Sequence, residues 1–441
     1  MTTARSLAYD VLKRVHTDGA YSHIALSSKL DRAELGSRDR NLATEILYGT
    51  LARQRTIDEV LRRFVNRRLD KLDVPVLLTL RIAAYQLLFL DRVPDHAVVH
   101  EAVENVKAQM GRGASGFVNG VLRAMLRKKH FWEPWKQIDP EESAVVHLGV
   151  RHSLPDWIAR RMIEDIGFDE AMEMADSFNA RAPLYFRALG EDPSELPEGV
   201  EEIPDVPGCY RADHMTDELE DLLERKEWTV QDIGAQLVGH LSSPDEGARI
   251  LDACAGLGGK AMHLAKLAGP DARVVAVDPQ ASKLKHLRQT IAGTPLAKQI
   301  QPELAKLEDL PQDDQYTGFD LVILDAPCSG LGVIRRHPET RWRRSVEDVR
   351  KLGVLQRSLL DEAAQRVRPG GVLVYSVCTF TTEEGPEQIA RFLAERSEFQ
   401  RREVPEALAT TGYFDDDGAL VVNPRDHDAD GFFAVAMVRE E

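Results

Sequence analysis

Two cysteines end strongly apolar runs of this chain. Cys328 follows Phe319-Asp-Leu-Val-Ile-Leu-Asp325-Ala-Pro, and Cys378 follows Gly371-Val-Leu-Val-Tyr-Ser-Val. A thiolate can attack an electron-poor carbon and later depart, splitting one difficult step into two easier ones. A lone cysteine at a strand end is usually a buried packing residue. Two of them ending strands of one parallel sheet can meet over a single substrate, because open α/β sheets bind ligands outside the carboxyl ends of their strands.

A second run offers a cofactor cradle. Leu251-Asp-Ala-Cys254-Ala255-Gly256-Leu257-Gly258-Gly259-Lys260-Ala261 carries an apolar strand into a glycine-rich turn and then a helix. Glycines allow a tight turn and let a ligand reach the backbone N–H groups at a helix start. Asp278 ends the next apolar run, where a carboxylate can accept hydrogen bonds from a ribose diol. Cys254 stands where a Walker loop needs glycine. Gly256-x-Gly258-x-x-Ala261 also fits the dinucleotide fingerprint, so this segment alone leaves NAD and S-adenosylmethionine equally open.

These groups need a scaffold, and the rest of the sequence supplies one. Residues 1–130 have helical apolar spacing throughout, with an all-round apolar stretch from Leu77 to Leu90 that predicts a central buried helix. Residues 131–226 are less regular and read as a small connecting module. From 227 to 441 short apolar runs alternate with helical stretches, which predicts βαβ units, with strands over 249–253, 273–278, 319–325, 372–378 and 432–438. The fold class is therefore α plus α/β and multidomain: an all-helical domain, then a Rossmann-like domain with a doubly wound, mostly parallel sheet.

The net charge of −16 argues against a polyanionic partner, but it is unevenly spread. Residues 1–130 hold 22 lysines and arginines against 14 acids, leaving 34 against 58 in the remainder. A basic front part suggests contact with nucleic acid. Arg62, Arg63, Arg67 and Arg68 form its densest cluster, though each also suits an ordinary solvated helix face. Beyond Cys328, Arg335 and Arg336 can neutralise phosphate and Trp342 can stack on an extruded base; a lid packing Trp342 into a core is the alternative. His337 has no companion ligands at useful spacing, so no metal is expected. Four scattered cysteines, no membrane-length apolar run and no signal-like N-terminus predict a cytoplasmic protein without disulfides. A monomer is expected.

Three segments resemble a known family. Asp252-x-Cys254-Ala-x-x-Gly258-Gly-Lys260 resembles motif I of the RNA cytosine-C5 methyltransferases of the Sun/Fmu (RsmB/NOP) group, Asp325-Ala-Pro-Cys328-Ser-Gly330 its motif IV, and Tyr375-Ser-Val-Cys378-Thr379 its motif VI. Ser37-Arg-Asp-Arg40, Leu80-Arg-Ile-Ala-Ala-Tyr85, Ala97–Val103 and Phe117–Arg123 are similar to the helical RNA-binding domain of the antitermination factor NusB. The resemblance implies methyl transfer from S-adenosylmethionine to carbon 5 of a cytosine in 16S ribosomal RNA. It implies that Cys378 adds to carbon 6, that Asp325 serves ring nitrogen 3, and that Cys328 assists product release. It further implies that Cys254–Lys260 wrap the methionine and ribose, that Asp278 holds the ribose hydroxyls, and that Glu303 lies near the adenine. The chain departs from the family at Gly256-Leu257 (usually Ala-Pro), at Ala261 (usually Thr) and at Val377, where a threonine usually precedes the nucleophile. Lys260, Arg335 or the sulfonium are candidates to stabilise the thiolate. Two rivals remain at this point: a non-catalytic NusB-like RNA-binding or antitermination protein, and an NAD-dependent oxidoreductase.

Overall fold

The computed structural model describes residues 3–440. The chain forms two compact units: residues 1–180 with 334–343, and residues 181–333 with 344–441.

The first unit is helical. Seven α-helices run between Ala4 and Arg127 among the described residues, followed by helices Pro140–His152, Asp156–Ile166 and Phe168–Ser177. The helix Val74–Phe89 is buried from Val76 to Leu87 without a break, as its all-round apolar sequence requires. Its buried Arg81 is tolerated because both Asp58 oxygens accept from it at 2.8 Å. The segment Ile334–Arg343 belongs to this unit through Arg341, which is fully buried and donates to the carbonyls of Ala52, His152, Ser153 and Ile334 at 3.3–3.4 Å.

The second unit holds two sheets. Strands β1 (Leu184–Ala188), β2 (Val200–Glu202), β3 (Tyr210–Ala212) and β4 (Trp228–Val230) form a small antiparallel sheet in the order β2-β3-β1-β4. The sequence stretch 131–226 is thus divided between the units, its helices before Arg181 in the first, and its strands β1–β3 with the helix Asp217–Glu224 in the second. The large sheet contains β5 (Arg249–Asp252), β6 (Arg273–Val277), β7 (Ile300–Glu303), β8 (Phe319–Asp325), β9 (Val367–Val377), β10 (Phe399–Arg401), β11 (Leu420–Val422) and β12 (Phe432–Arg439). Five strands are parallel, in the order β9-β8-β5-β6-β7. β12 adds antiparallel to β9, and β10 and β11 both pair with β12.

This is the doubly wound, mostly parallel sheet that the sequence predicts. Successive residues feed opposite faces: Ile250, Val274, Ile323 and Val374 join one apolar core, and Leu251, Val275, Val322 and Leu373 the other. Burial on both faces explains why these strands read as continuous rather than alternating apolar runs. β9 begins at Val367, five residues before the expected start. Pro369-Gly370-Gly371 reads as a turn in the sequence, but the ladder passes through it with a register shift, and Gly370 takes a φ of +71°. The topology reverses between β5 and β8, and ligand sites of such sheets lie at that switch point.

Candidate active site

The carboxyl ends of the parallel strands bring the sequence-predicted groups of the second unit into one region. β5 delivers Cys254 and the glycine loop, β6 delivers Asp278, β8 delivers Asp325 and Cys328, and β9 delivers Cys378. The loop needs its glycines at two positions. Gly256 has a φ of +58° with open space where a Cβ would stand, and Gly258 has a φ of +86° with Leu287 packed against it. Gly258 caps the helix Gly259–Leu267, whose first N–H groups are free to meet a ligand. Asp278 anchors this loop: its Oδ2 accepts from the Gly256 N–H at 3.1 Å and its Oδ1 from the Gln280 N–H at 2.8 Å. Glu303 is the last residue of β7 rather than a loop residue after it. Its carbonyl accepts from the Asp278 N–H at 3.2 Å, so the two acids end neighbouring strands.

Cys328 and Cys378 meet directly, with their Sγ atoms 3.3 Å apart. Their environments differ. The hydrogen bond to Cys378, together with burial, pushes the Cys328 thiol well above the ordinary range. The Cys378 contact and burial thus both favour the protonated form of Cys328. Cys254 is also pushed up, first by burial and then by the carboxylates around it, which makes it an inert thiol.

Lys260 reaches across from the glycine loop to Asp325, Nζ to Oδ2, at 2.7 Å. Burial pulls the Lys260 ammonium down, but Asp325 and the nearby Cys378 outweigh it, and the net direction is upward. The ammonium is thus held charged beside both the carboxylate and the second thiol. The other Asp325 oxygen accepts from the Ser376 hydroxyl at 2.8 Å. Lys260 also lies over the Phe432 ring, at 5.2 Å from its centroid, which ties the C-terminal run to the site.

Several supporting residues escaped the sequence reading. Glu384 is fully buried and accepts from the Ser329 N–H at 2.7 Å, from Gln356 Nε2 at 3.0 Å and from the Thr381 hydroxyl at 2.7 Å. It thereby fixes the residue after Cys328 against the loop after Cys378. Ser329 and Thr379, each next to a thiol, share a hydroxyl contact of 2.8 Å. Gly332 donates to the Cys378 carbonyl at 3.0 Å and its own carbonyl accepts from Gly431; a side chain at 332 would collide with that glycine. The one available signal was the recurrence of Thr and Glu in Thr379-Phe-Thr381-Thr-Glu-Glu384, which resembles a capping pattern and reads as surface. Val377, which departs from the family pattern, packs into the apolar core beside Phe433 and does not face Asp325.

The expected RNA contacts lie in the first unit. Arg62 and Trp342 line one cavity of about 420 Å³ together with Gln54, Arg55, Asp58 and Asp156. Trp342 is half-buried and its indole N–H donates to the Leu51 carbonyl at 2.7 Å. Arg62, Arg67 and Arg68 line a larger cavity of about 800 Å³ with Arg81 and His16. Part of this charge is answered locally: Arg62 pairs with Glu59 at 2.6 Å and Arg68 with Asp70 at 2.7 Å, while Arg63 and Arg67 lie over the rings of Phe131 and Phe117. Arg335 and Arg336 are half-buried, and Arg335 donates to the Ala180 carbonyl at 3.3 Å.

A doubly wound sheet with a glycine loop, an acid-anchored turn and a thiol pair at its switch point places the chain among the Rossmann-like methyltransferases. The crystal structure of PH0851 has the same fold, with a TM-score of 0.81 at 23% identity over 100% of this chain and 99% of that one. That of NSun6 from Pyrococcus horikoshii with SFG gives 0.54 at 17% identity, covering 64% of this chain and 97% of that one. The model of the 16S rRNA methyltransferase RsmB/F family matches residues 240–438, and that of the NusB family matches residues 2–127. A probable ribosomal RNA small subunit methyltransferase B of Bacillus subtilis is 31% identical over 457 residues, spanning 99% of this chain and 98% of the relative. The chain belongs to the RsmB/F family of 16S rRNA methyltransferases, with a NusB domain ahead of the methyltransferase domain. Membership removes the NAD-dependent oxidoreductase from consideration.

Proposed function

We propose that this chain transfers a methyl group from S-adenosylmethionine to carbon 5 of a cytosine in 16S ribosomal RNA, through a covalent bond between Cys378 Sγ and carbon 6 of the base. The observation that carries the reading is the unequal thiol pair, 3.3 Å apart, beside the Lys260–Asp325 ion pair. The cofactor reading is supported by the loop itself. The open space at Gly256, the free N–H groups at the helix start and the Asp278 carboxylate suit a nucleoside with an anionic tail. It is supported also by the fold shared with NSun6, whose crystals contain SFG, an S-adenosylmethionine analogue. When bound, S-adenosylmethionine supplies an electrophilic methyl group.

Carbon 5 of cytosine is a weak nucleophile, and the residues act to change that. Lys260 keeps its positive charge beside Asp325 and Cys378, and Cys328 lies 3.3 Å from the same sulfur. Addition of Cys378 to carbon 6 makes the ring an enamine that is electron-rich at carbon 5. Asp325, oriented by Lys260 and Ser376, serves nitrogen 3 while charge builds there. Once carbon 5 carries the methyl group, a base takes the carbon-5 proton, and the electron pair left behind re-forms the ring double bond and expels the Cys378 sulfur as a thiolate. On this reading Cys328, 3.3 Å from that sulfur, assists the release. The target base must leave its stack to reach these groups, and the basic surface of the first unit suits an RNA backbone.

Bisulfite sequencing of 16S ribosomal RNA from cells with and without this gene tests the proposal. One cytosine protected from conversion only when the gene is present is the expected result. An identical pattern in both strains, with the purified protein inactive on 16S transcripts, would overturn it.

A further inference from the structure

The segment Ile334–Arg343 and the helix Ser22–Leu30, both within the first unit, bring His337 and Glu339 together with His23, which lies far earlier in the sequence. One available ligand atom from each of His23, His337 and Glu339 lies within 4.8 Å of the other two. The imidazole rings of His23 and His337 stand 4.9 Å apart. Glu339 is 2% exposed. Its Oε1 accepts from the Ser22 N–H and hydroxyl, each at 2.9 Å, and its Oε2 also lies 2.9 Å from that hydroxyl. Among the described residues no lysine or arginine pairs with this carboxylate.

Buried carboxylates require compensating positive charge. The neighbouring imidazole of His337 has its Nδ1 buried without a partner. A neutral imidazole with an unused nitrogen is a metal ligand. Two imidazoles and one carboxylate suit a borderline divalent cation of the zinc class and disfavour magnesium or calcium, which take oxygen ligands. Tetrahedral zinc would hold its ligand atoms roughly 3.4 Å apart. Closing from the present spacing requires movement of about an ångström, which the exposed His23 side chain can supply. The Ser22 hydrogen bonds already orient the third ligand, the outer-shell support that metal carboxylates need.

We propose that His23, His337 and Glu339 bind one zinc-class cation, with water completing the tetrahedron, and that this cation fastens the segment Ile334–Arg343 to the helix Ser22–Leu30. The test is titration of the chelator-treated full chain with Co2+, followed by the visible absorption of tetrahedral cobalt and by thermal melting with and without Zn2+. One equivalent of Co2+ should develop the band, Zn2+ should displace it, and Zn2+ should raise the melting temperature. His23→Ala, at an exposed position, should keep the apo melting temperature and weaken binding by more than the roughly 10- to 100-fold that loss of an outer-shell partner costs. His337→Ala should do the same to binding, whereas His100→Ala, on an exposed surface elsewhere, should bind as the parent does. Absence of saturable binding, or binding unchanged in His23→Ala, would overturn the site.

Discussion

Asp252, at the end of β5, offers a perturbation whose size follows from its surroundings. The residue is 1% exposed, and neither side-chain oxygen has a hydrogen-bonding side chain to meet it. Burial, and next the neighbouring Asp325, push its carboxyl up to about 7. In the unfolded chain the same group loses its proton near the ordinary value of 3.8. Between about pH 4 and 7 the native state therefore holds the extra proton, and Asp252 removes stability as the pH rises through that window. The penalty grows by about 1.4 kcal/mol per pH unit and levels off above pH 7 at roughly 4 kcal/mol. Asp252→Asn keeps the shape and cannot ionise. Thermal melts of parent and variant at matched pH report this group together with its coupling to Asp325 and Lys260. The variant should gain little at pH 4 and most at pH 8. If about half of the penalty survives local relaxation, the second unit should melt several degrees higher, at roughly 2–4 °C per kcal/mol. A variant less stable than the parent at pH 8, or a difference independent of pH, would refute the idea that this carboxylate carries an uncompensated charge.

Two further substitutions probe the cofactor loop and the ion pair. Gly258→Ala forces a side chain into a φ of +86° against Leu287 and should cost about 1–2 kcal/mol from the backbone alone; calorimetry should show weakened S-adenosylmethionine binding, and unchanged affinity would count against the loop. Lys260→Met removes the cation from Asp325 and Cys378, and methyl transfer should fall on the order of 100-fold, as for loss of one preorganised electrostatic donor. Methyl transfer undiminished in Lys260→Met would exclude the Lys260–Asp325 pair from the reaction.

What the sequence made legible was whatever the strand ends display. Cys254, Asp278, Asp325, Cys328 and Cys378 all follow apolar runs, so the βαβ pattern alone assigns them to one edge of the sheet. Partners set by register were hidden. Ser376 stands opposite Asp325 across β8 and β9, but its serine lies inside an apolar run and gives no sign of which face it serves. Glu384 was hidden as well, because nothing local reveals that Ser329, Gln356 and Thr381 converge on it. The extension of β9 back to Val367 was concealed by Gly370, whose positive φ serves a register shift instead of a turn. Spacing along the chain also hid that Ser22 and Glu339 make contact across 317 positions of sequence.

The central claim is that Cys378 becomes covalently bound to the base and that Cys328 does not. It is tested most directly by incubating the protein and S-adenosylmethionine with 16S RNA containing 5-fluorocytosine, followed by denaturing electrophoresis. The parent should form a denaturation-resistant protein–RNA complex and Cys378→Ala none, while Cys328→Ala should accumulate the complex even with ordinary cytosine. A complex formed by Cys378→Ala, or full turnover by that variant, would contradict the assignment.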